Sequence, residues 1–561
     1  MKFINKIKEY VSKINKRKFG YISFFWSIIS IQFILGSNMQ NKGHLFGSTS
    51  SILIDIVKFI LMSIIFVSLH YCILELINRI QKRQKIEKKE TEKINNKKYR
   101  WLIYFLTIFA CWIPTVLAFY PSIVGYDGGY QIRNYFLLNE MTHHPILITK
   151  IYTFFYVIGL MIKSPTVGMF LFSLTQMAFM AASFSYAVKF IEDETQNKLI
   201  RNISILFYAL YPYNQLFAIT TTKDVILAGL MLIFVIHLYK MLKEKFKITD
   251  YIFLVLIGVV MLLSRNNTIY TLEVSLPFII LVLIKERHKL VKIVTVFLLI
   301  IILYKSANNC LYKMLKNQSA NSQNNEGNFR LSIFTQAVGR VARDNKDSLT
   351  QEEKEKISYY FKDYEKLGKV YAENIADITA NEMASGKNIN KNKKEFFTFV
   401  LELGKKYPMT YIESFLDTAR GYWYIEDVSF SNILIYNHPG AFELYDFGIL
   451  GGSFKVKHES KIEPLKNLYT NLYCLNRYQE VPVLYTLFQP GIFFYLTLAF
   501  LLYAMYKKDK DNLVIAIFLF IFYASCYLAF CSIIRYMYPI MVNTPIMLAL
   551  VLKNKEQGEE K

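Results

Sequence analysis

Residues 101–120, "WLIYFLTIFACWIPTVLAFY", decide the fold. Twenty residues without a charge match the roughly 20 that an α-helix needs to cross a bilayer. Comparable apolar runs recur near 21–36, 51–78, 145–162, 165–190, 200–218, 224–240, 251–264, 270–284 and 293–305, and again near 483–506, 511–530 and 536–552. The 561-residue chain, 53% hydrophobic, therefore reads as an all-α polytopic membrane protein with about 11 to 13 crossings.

The leader "MKFINKIKEYVSKINKRKFG" is basic and amphipathic, with no small-residue cleavage site, so the first helix is expected to stay as an anchor. A formal charge of +23 could suggest nucleic acid. The Lys and Arg instead fall in short loops at 2–18, 79–100, 240–247, 285–292 and 507–510, where they act as orientation signals. Those loops and both termini are expected to be cytoplasmic, and no nucleic-acid partner is expected.

Four domains follow. Residues 1–100 form a helical hairpin and a basic loop, 101–305 a transmembrane module, 306–482 a mainly helical external domain, and 483–561 the last three spans with a cytoplasmic tail. Within the external domain, "LTQEEKEKISYYFKDYEKLGKVYAENI" has a Ser/Thr start, an acidic first turn and helical spacing. One region does not close: 145–218 holds three apolar runs where topology needs an even number. One of them is expected to be a half-span or re-entrant helix, tolerated where it lines a protein cavity.

The same topology gathers polar residues at the external face. After span 101–120 comes "YPSIVGYDGGYQIRNYFLLNEMTHHPILITK" (120–150), an external loop across 120–147. Asp127 precedes Gly128 and Gly129, which allow close backbone approach to a ligand, and its carboxylate could take a proton from a hydroxyl. A capping or solvated Asp is the plainer reading. His143 and His144 could hydrogen-bond a phosphate, bind a divalent metal (Mg or Mn) with Asp127, or pack at the interface. Lys223 and Asp224 open a further span, Arg265 and Asn266 end another in "SRNNTIY", and Arg535 lies in "IIRYMYPI". An Arg there is costly against lipid and suits a phosphate in a cavity, although capping, snorkelling and headgroup anchoring remain alternatives. Cys310 and Cys474 are candidates for a disulfide if their segment is external; no C-x-x-C or other metal spacing occurs.

The segments "YPSIVGYDGGYQ", "HHPIL", "TTKDVIL", "LLSRNNTIY", "TQAVGRVARDNKDSLTQEEKEKI", "YPMTYIESFLDTARGYWY" and "RYMYPI", in this order, resemble a bacterial membrane-protein family carrying domain of unknown function number 6020, over about residues 101–550. That family in turn resembles the glycosyltransferase C superfamily. The resemblance implies an inverting transferase with a polyprenyl-phosphate sugar as donor and an acid in the first large external loop, here Asp127. Gly-Gly after that Asp, and the lack of an adjacent second acid, depart from the pattern and leave metal dependence open.

The expected function is thus a bacterial plasma-membrane glycosyltransferase that modifies an envelope glycan, lipid or protein. Its substrate-binding set is His143, His144, Lys223, Asp224, Arg265, Asn266, Arg340, Trp423 and Arg535. Trp423 with Tyr422 and Tyr424 offers aromatic surface for a sugar, or an interface belt; Arg340 touches substrate or holds the domain in place. A transporter or lipid-linked-glycan flippase is the alternative, expected to show midplane ionisable groups and related halves. An envelope sensor or scaffold would leave Asp127 dispensable.

Overall fold

A computed structural model describes residues 16–87, 99–125, 128–136, 144–243, 246–316, 332–427, 456–474, 477–481, 484–529 and 531–553. Among these the secondary structure is helical, with two isolated bridges, Ile123 to Thr220 and Ile375 to Cys531. Among the described residues seven helices are long and apolar enough to span a membrane: Lys16–Lys42, Thr49–Cys72, Arg100–Ala118, Pro165–Thr195, Lys223–Lys243, Arg287–Lys313 and Ile534–Leu552. Four shorter apolar helices, Ile146–Met161, Ile248–Ser264, Thr268–Leu283 and Gly491–Lys507, run among them. The chain is an all-α polytopic membrane protein.

Burial sorts these helices into centre and rim. The apolar windows of Lys223–Lys243 and Ile534–Leu552 are 78% and 83% buried, whereas that of Thr49–Cys72 is 0% buried. The first two form the axis, and the last presents Leu53, Ile56, Leu61 and Ile64 to the surroundings, as a lipid-facing helix does. Around the axis stand Pro165–Thr195, Ile248–Ser264 and Lys510–Cys526. Lipid offers no hydrophobic drive between helices, so small residues let backbones close up. At Gly159 and Gly168 an added Cβ would lie 2.7 Å from Pro165 Cα and 2.4 Å from Phe155 O respectively, so neither side chain is tolerated.

The odd run at 200–218 breaks into Lys198–Leu210 and Pro212–Ala218. Pro212 removes a backbone donor and starts the second piece. Thirteen residues rise only about 20 Å, short of the hydrocarbon thickness.

The two ends of the bundle carry different ion-pair clusters. Lys223–Lys243 has 21 residues, which separates its termini by roughly 30 Å. At its Lys243 end, Asp511 bonds Lys243 and Lys289 at 2.8 and 2.6 Å, and Glu192 bonds Arg100 and Arg201 at 2.5 and 3.1 Å. The other end carries Asp224.

The expected domain boundary at 305/306 falls within a helix that continues to Lys316. Residues 332–427 then form a helical unit with its own core of Val338, Val341, Ile357, Phe361, Phe396 and Val400. Its Gln351–Phe361 helix opens with a capping box, Thr350 Oγ1 accepting from Glu353 N at 3.2 Å and Glu353 Oε2 from Thr350 N at 2.8 Å. The expected single helical stretch instead divides at Lys362, whose φ is 67°, before Tyr364–Val370. Segment 456–469, assigned to the external domain from sequence, lies along the bundle: Lys461 N bonds Leu117 O at 2.9 Å and Glu459 N bonds Tyr120 O at 3.0 Å.

Candidate functional site

Three helix ends meet at Asp224. The carboxylate stands in the first turn of Lys223–Lys243 and is fully buried. Thr222 Oγ1 donates to its Oδ2 at 3.2 Å. Arg265, just past Ile248–Ser264, places Nη1 2.5 Å from Oδ1, and Arg535, in the first turn of Ile534–Leu552, places Nε 3.8 Å from Oδ2. The side chains of Arg265 and Arg535 are 13% and 5% exposed. The Tyr536 ring lies under both guanidiniums, 4.4 Å from Arg265 Cζ and 5.0 Å from Arg535 Cζ.

Two cations against one carboxylate leave one surplus positive charge in a place with little water. A buried charge is costly unless paired, so this arrangement suits an anion. Phosphate is one anion of matching chemistry, because guanidinium forks match phosphate oxygens.

The loop that follows span 101–120 is braced onto the same place. Ile123 pairs with Thr220, Ile123 N bonding Ile219 O at 3.0 Å and Thr221 N bonding Ile123 O at 2.9 Å. Gly128 meets Thr221 so closely that a Cβ would lie 2.3 Å from Thr221 Oγ1. The Gly128–Phe136 helix then packs on Ile146–Met161, with Thr149 Oγ1 donating to Gln131 Oε1 at 2.8 Å. Asp127 and His143 lie outside the described residues. His144 is buried, edge-on to Tyr130 at 6.3 Å.

Of the residues selected from sequence, the structure therefore brings Asp224, Arg265 and Arg535 together, with Lys223 and Asn266 adjacent in the chain and partly buried. Arg340 and Trp423 belong elsewhere. Arg340 is fully buried and binds Asp417 at 2.6 Å, Asp344 at 3.1 Å, Glu413 at 3.2 Å and the Gly43 carbonyl. It thereby holds the helical unit to the loop after the first membrane helix. Burial pushes the Asp417 carboxyl up to about 6, against the pull of Arg420 and Arg340. Trp423 is buried, with Nε1 donating to Leu416 O at 2.9 Å, and Tyr422 and Tyr424 are buried beside it. The triplet offers no open aromatic surface to a sugar, because its rings fill the joint between the unit and the bundle.

Sequence reading passed over Tyr536 and Thr222, although "RYMYPI" and "TTKD" contain them, and took Tyr422 only as aromatic surface for a sugar or an interface belt. A Tyr at a membrane boundary is too common to mark a site. His44, Asp344 and Glu413 could each offer one metal-ligand atom within 4.8 Å of the others. Arg340 already lies against both carboxylates, and Arg343 pairs with Asp344 as well, which disfavours a cation. Cys310 is a free, exposed thiol, and the side chain of Cys474 lies outside the described residues.

A family profile described as "Family of unknown function (DUF6020)" matches residues 138–561. The match starts later than the expected residue 101 and leaves Asp127 ahead of it. No curated protein and no solved structure matches the chain. With three quarters of its length matched, the chain belongs to the DUF6020 family of unknown function.

Proposed function

We propose that this chain is a membrane glycosyltransferase that takes a sugar from polyprenyl phosphate and passes it to an envelope glycan, lipid or protein. The observation that carries the reading is the buried pair Arg265 and Arg535 on the single carboxylate of Asp224. In the proposed reaction an acceptor hydroxyl gives its proton to the Asp127 carboxylate and its oxygen attacks the anomeric carbon. The bond from that carbon to the phosphate oxygen breaks, with inversion, and its electrons stay on the phosphate. The phosphate thus gains negative charge as it leaves, and preorganised guanidiniums stabilise such developing charge.

Support for Asp127 as base is covalent: it adjoins Gly128, which touches Thr221, three residues before Asp224. The Lys- and Arg-rich loops at 240–247, 285–292 and 507–510, whose Lys243, Lys289 and Lys510 gather at the Lys243 end, support an orientation with that end and both termini cytoplasmic and the Asp224 end external, in a bacterial plasma membrane. Lipid-linked donors are available on that face and nucleotide sugars are not. A divalent Mg or Mn near Asp127, His143 and His144 would assist the departing phosphate.

The test compares the parent with Asp127→Asn in lipid nanodiscs, after confirming equal unfolding midpoints. Release of polyprenyl phosphate is measured from a panel of lipid-phosphate sugars with acceptor extracts, with and without chelator. Release by the parent alone is expected. Equal release removes Asp127 from the chemistry, and movement of intact lipid across the bilayer without release would establish a flippase instead.

A further inference from the structure

We propose that Tyr422 is a positioning residue for Arg535, through which the helical unit 332–427 sets the geometry of the anion site. The proposal rests on the phosphate reading of that site. Arg535 is the second residue of Ile534–Leu552, so its position depends on the turn that delivers the chain from Lys510–Cys526. The three residues before that helix are each held by the helical unit. Cys531 pairs with Ile375 in an antiparallel bridge. Ser532 Oγ donates to Thr418 O at 2.9 Å. Ile533 N donates to the Tyr422 hydroxyl at 2.8 Å.

The same hydroxyl lies 3.2 Å from both the Cys531 and the Ile533 carbonyl oxygens. A phenol has one proton, so it serves one of these carbonyls while accepting from the amide. The turn is clamped at both donor and acceptor.

Tyr422 is itself fixed. It is fully buried, its carbonyl accepts from Tyr523 OH, and its ring lies 6.1 Å from that of Tyr527. Two residues earlier, Arg420 is pinned by Asp417 at 2.6 Å and Asp427 at 2.9 Å. The Tyr422 hydroxyl addresses backbone two residues ahead of Arg535, so its effect is on where that guanidinium stands over Asp224. An acceptor that shifted the helical unit would be reported at the anion site through this contact.

Tyr422→Phe keeps the ring and deletes the clamp. Two measurements on the full chain in nanodiscs decide the proposal. In hydrogen exchange, the Ile533 and Tyr536 amides, which bracket Arg535, are expected to exchange about tenfold faster in the variant, the size of effect one lost buried hydrogen bond gives. Unchanged exchange overturns the proposal. In titrations with polyprenyl phosphate, Tyr422→Phe is expected to weaken binding several-fold in the parent and to have no further effect in an Arg535→Gln background. An equal loss in both backgrounds would make Tyr422 act independently of Arg535 and overturn it. Absence of binding by the parent would remove the phosphate reading, and the exchange result would still decide the clamp. If Tyr422→Phe does not fold, Ser532→Ala opens the same turn from its other side and is read in the same way.

Discussion

Asp224 carries more of the site than any other side chain, because it is the shared counter-charge of two buried arginines. Replacing it with Asn leaves those guanidiniums facing each other without a carboxylate. Breaking a buried pair costs about 3–5 kcal/mol, so Asp224→Asn is expected to lower the unfolding midpoint in detergent markedly, and inorganic phosphate is expected to restore part of the loss. A variant as stable as the parent, or indifferent to phosphate, contradicts the pairing. Gly128→Ala is a second test at this scale. Its Cβ would lie 2.3 Å from Thr221 Oγ1, so the loop must leave the Thr220–Asp224 segment, and loss of transfer with a nearly unchanged midpoint is expected. Asp224, Arg265 and Arg535 were legible in the sequence because an ionisable residue at the end of an apolar run is expensive against lipid. Tyr536 was not, because a boundary Tyr has an ordinary interfacial use, and Tyr422 was legible only as aromatic surface, not as a contact of the last turn.

Among elements, the Gln351–Phe361 helix shows what local sequence can specify. Its Thr350 cap and acidic first turn were readable, and the capping box forms as expected. Thr350→Ala is expected to cost about 1 kcal/mol, measured as faster amide exchange across this helix. Burial alone would raise the Glu353 carboxyl, but Lys406 and the Thr350 amide outweigh it and hold its pKa below the usual value. A depressed folded pKa means the contribution is complete above the unfolded value of about 4.3 and is lost as pH falls through the folded one. Exchange in this helix should therefore quicken below about pH 4, and Glu353→Gln should flatten that dependence. The break at Lys362 escaped notice because no glycine or proline marks its positive φ. The broken run at 200–218 was foreseeable only as a count that did not close; Pro212 marks where it breaks. The helix continuing to Lys316 was hidden because polar residues can extend a membrane helix beyond the lipid.

For the whole molecule, the contacts that join the helical unit 332–427 to the bundle include Arg340 with the Gly43–Leu45 loop and the Tyr422–Tyr424 segment with the last turn. The Arg340 joint was legible only as one of two readings, holding the domain or touching substrate, and the joint at Tyr422–Tyr424 was not, since its partners lie far apart in sequence. Arg340→Ala strips Asp417 and Glu413 of a buried partner. A loss of about 3–5 kcal/mol is expected, visible as proteolysis within the unit while the membrane helices persist. The arrangement as a whole places a buried Asp224–Arg265–Arg535 cluster, a braced loop and the contact of the helical unit with the last turn at one end of a membrane bundle. The most direct test of that account is a cryo-EM map of the parent with polyprenyl phosphate. The account predicts phosphate density within roughly 3 Å of the Arg265 and Arg535 guanidiniums, with the lipid tail leaving toward the bilayer. Phosphate density away from both arginines would contradict it.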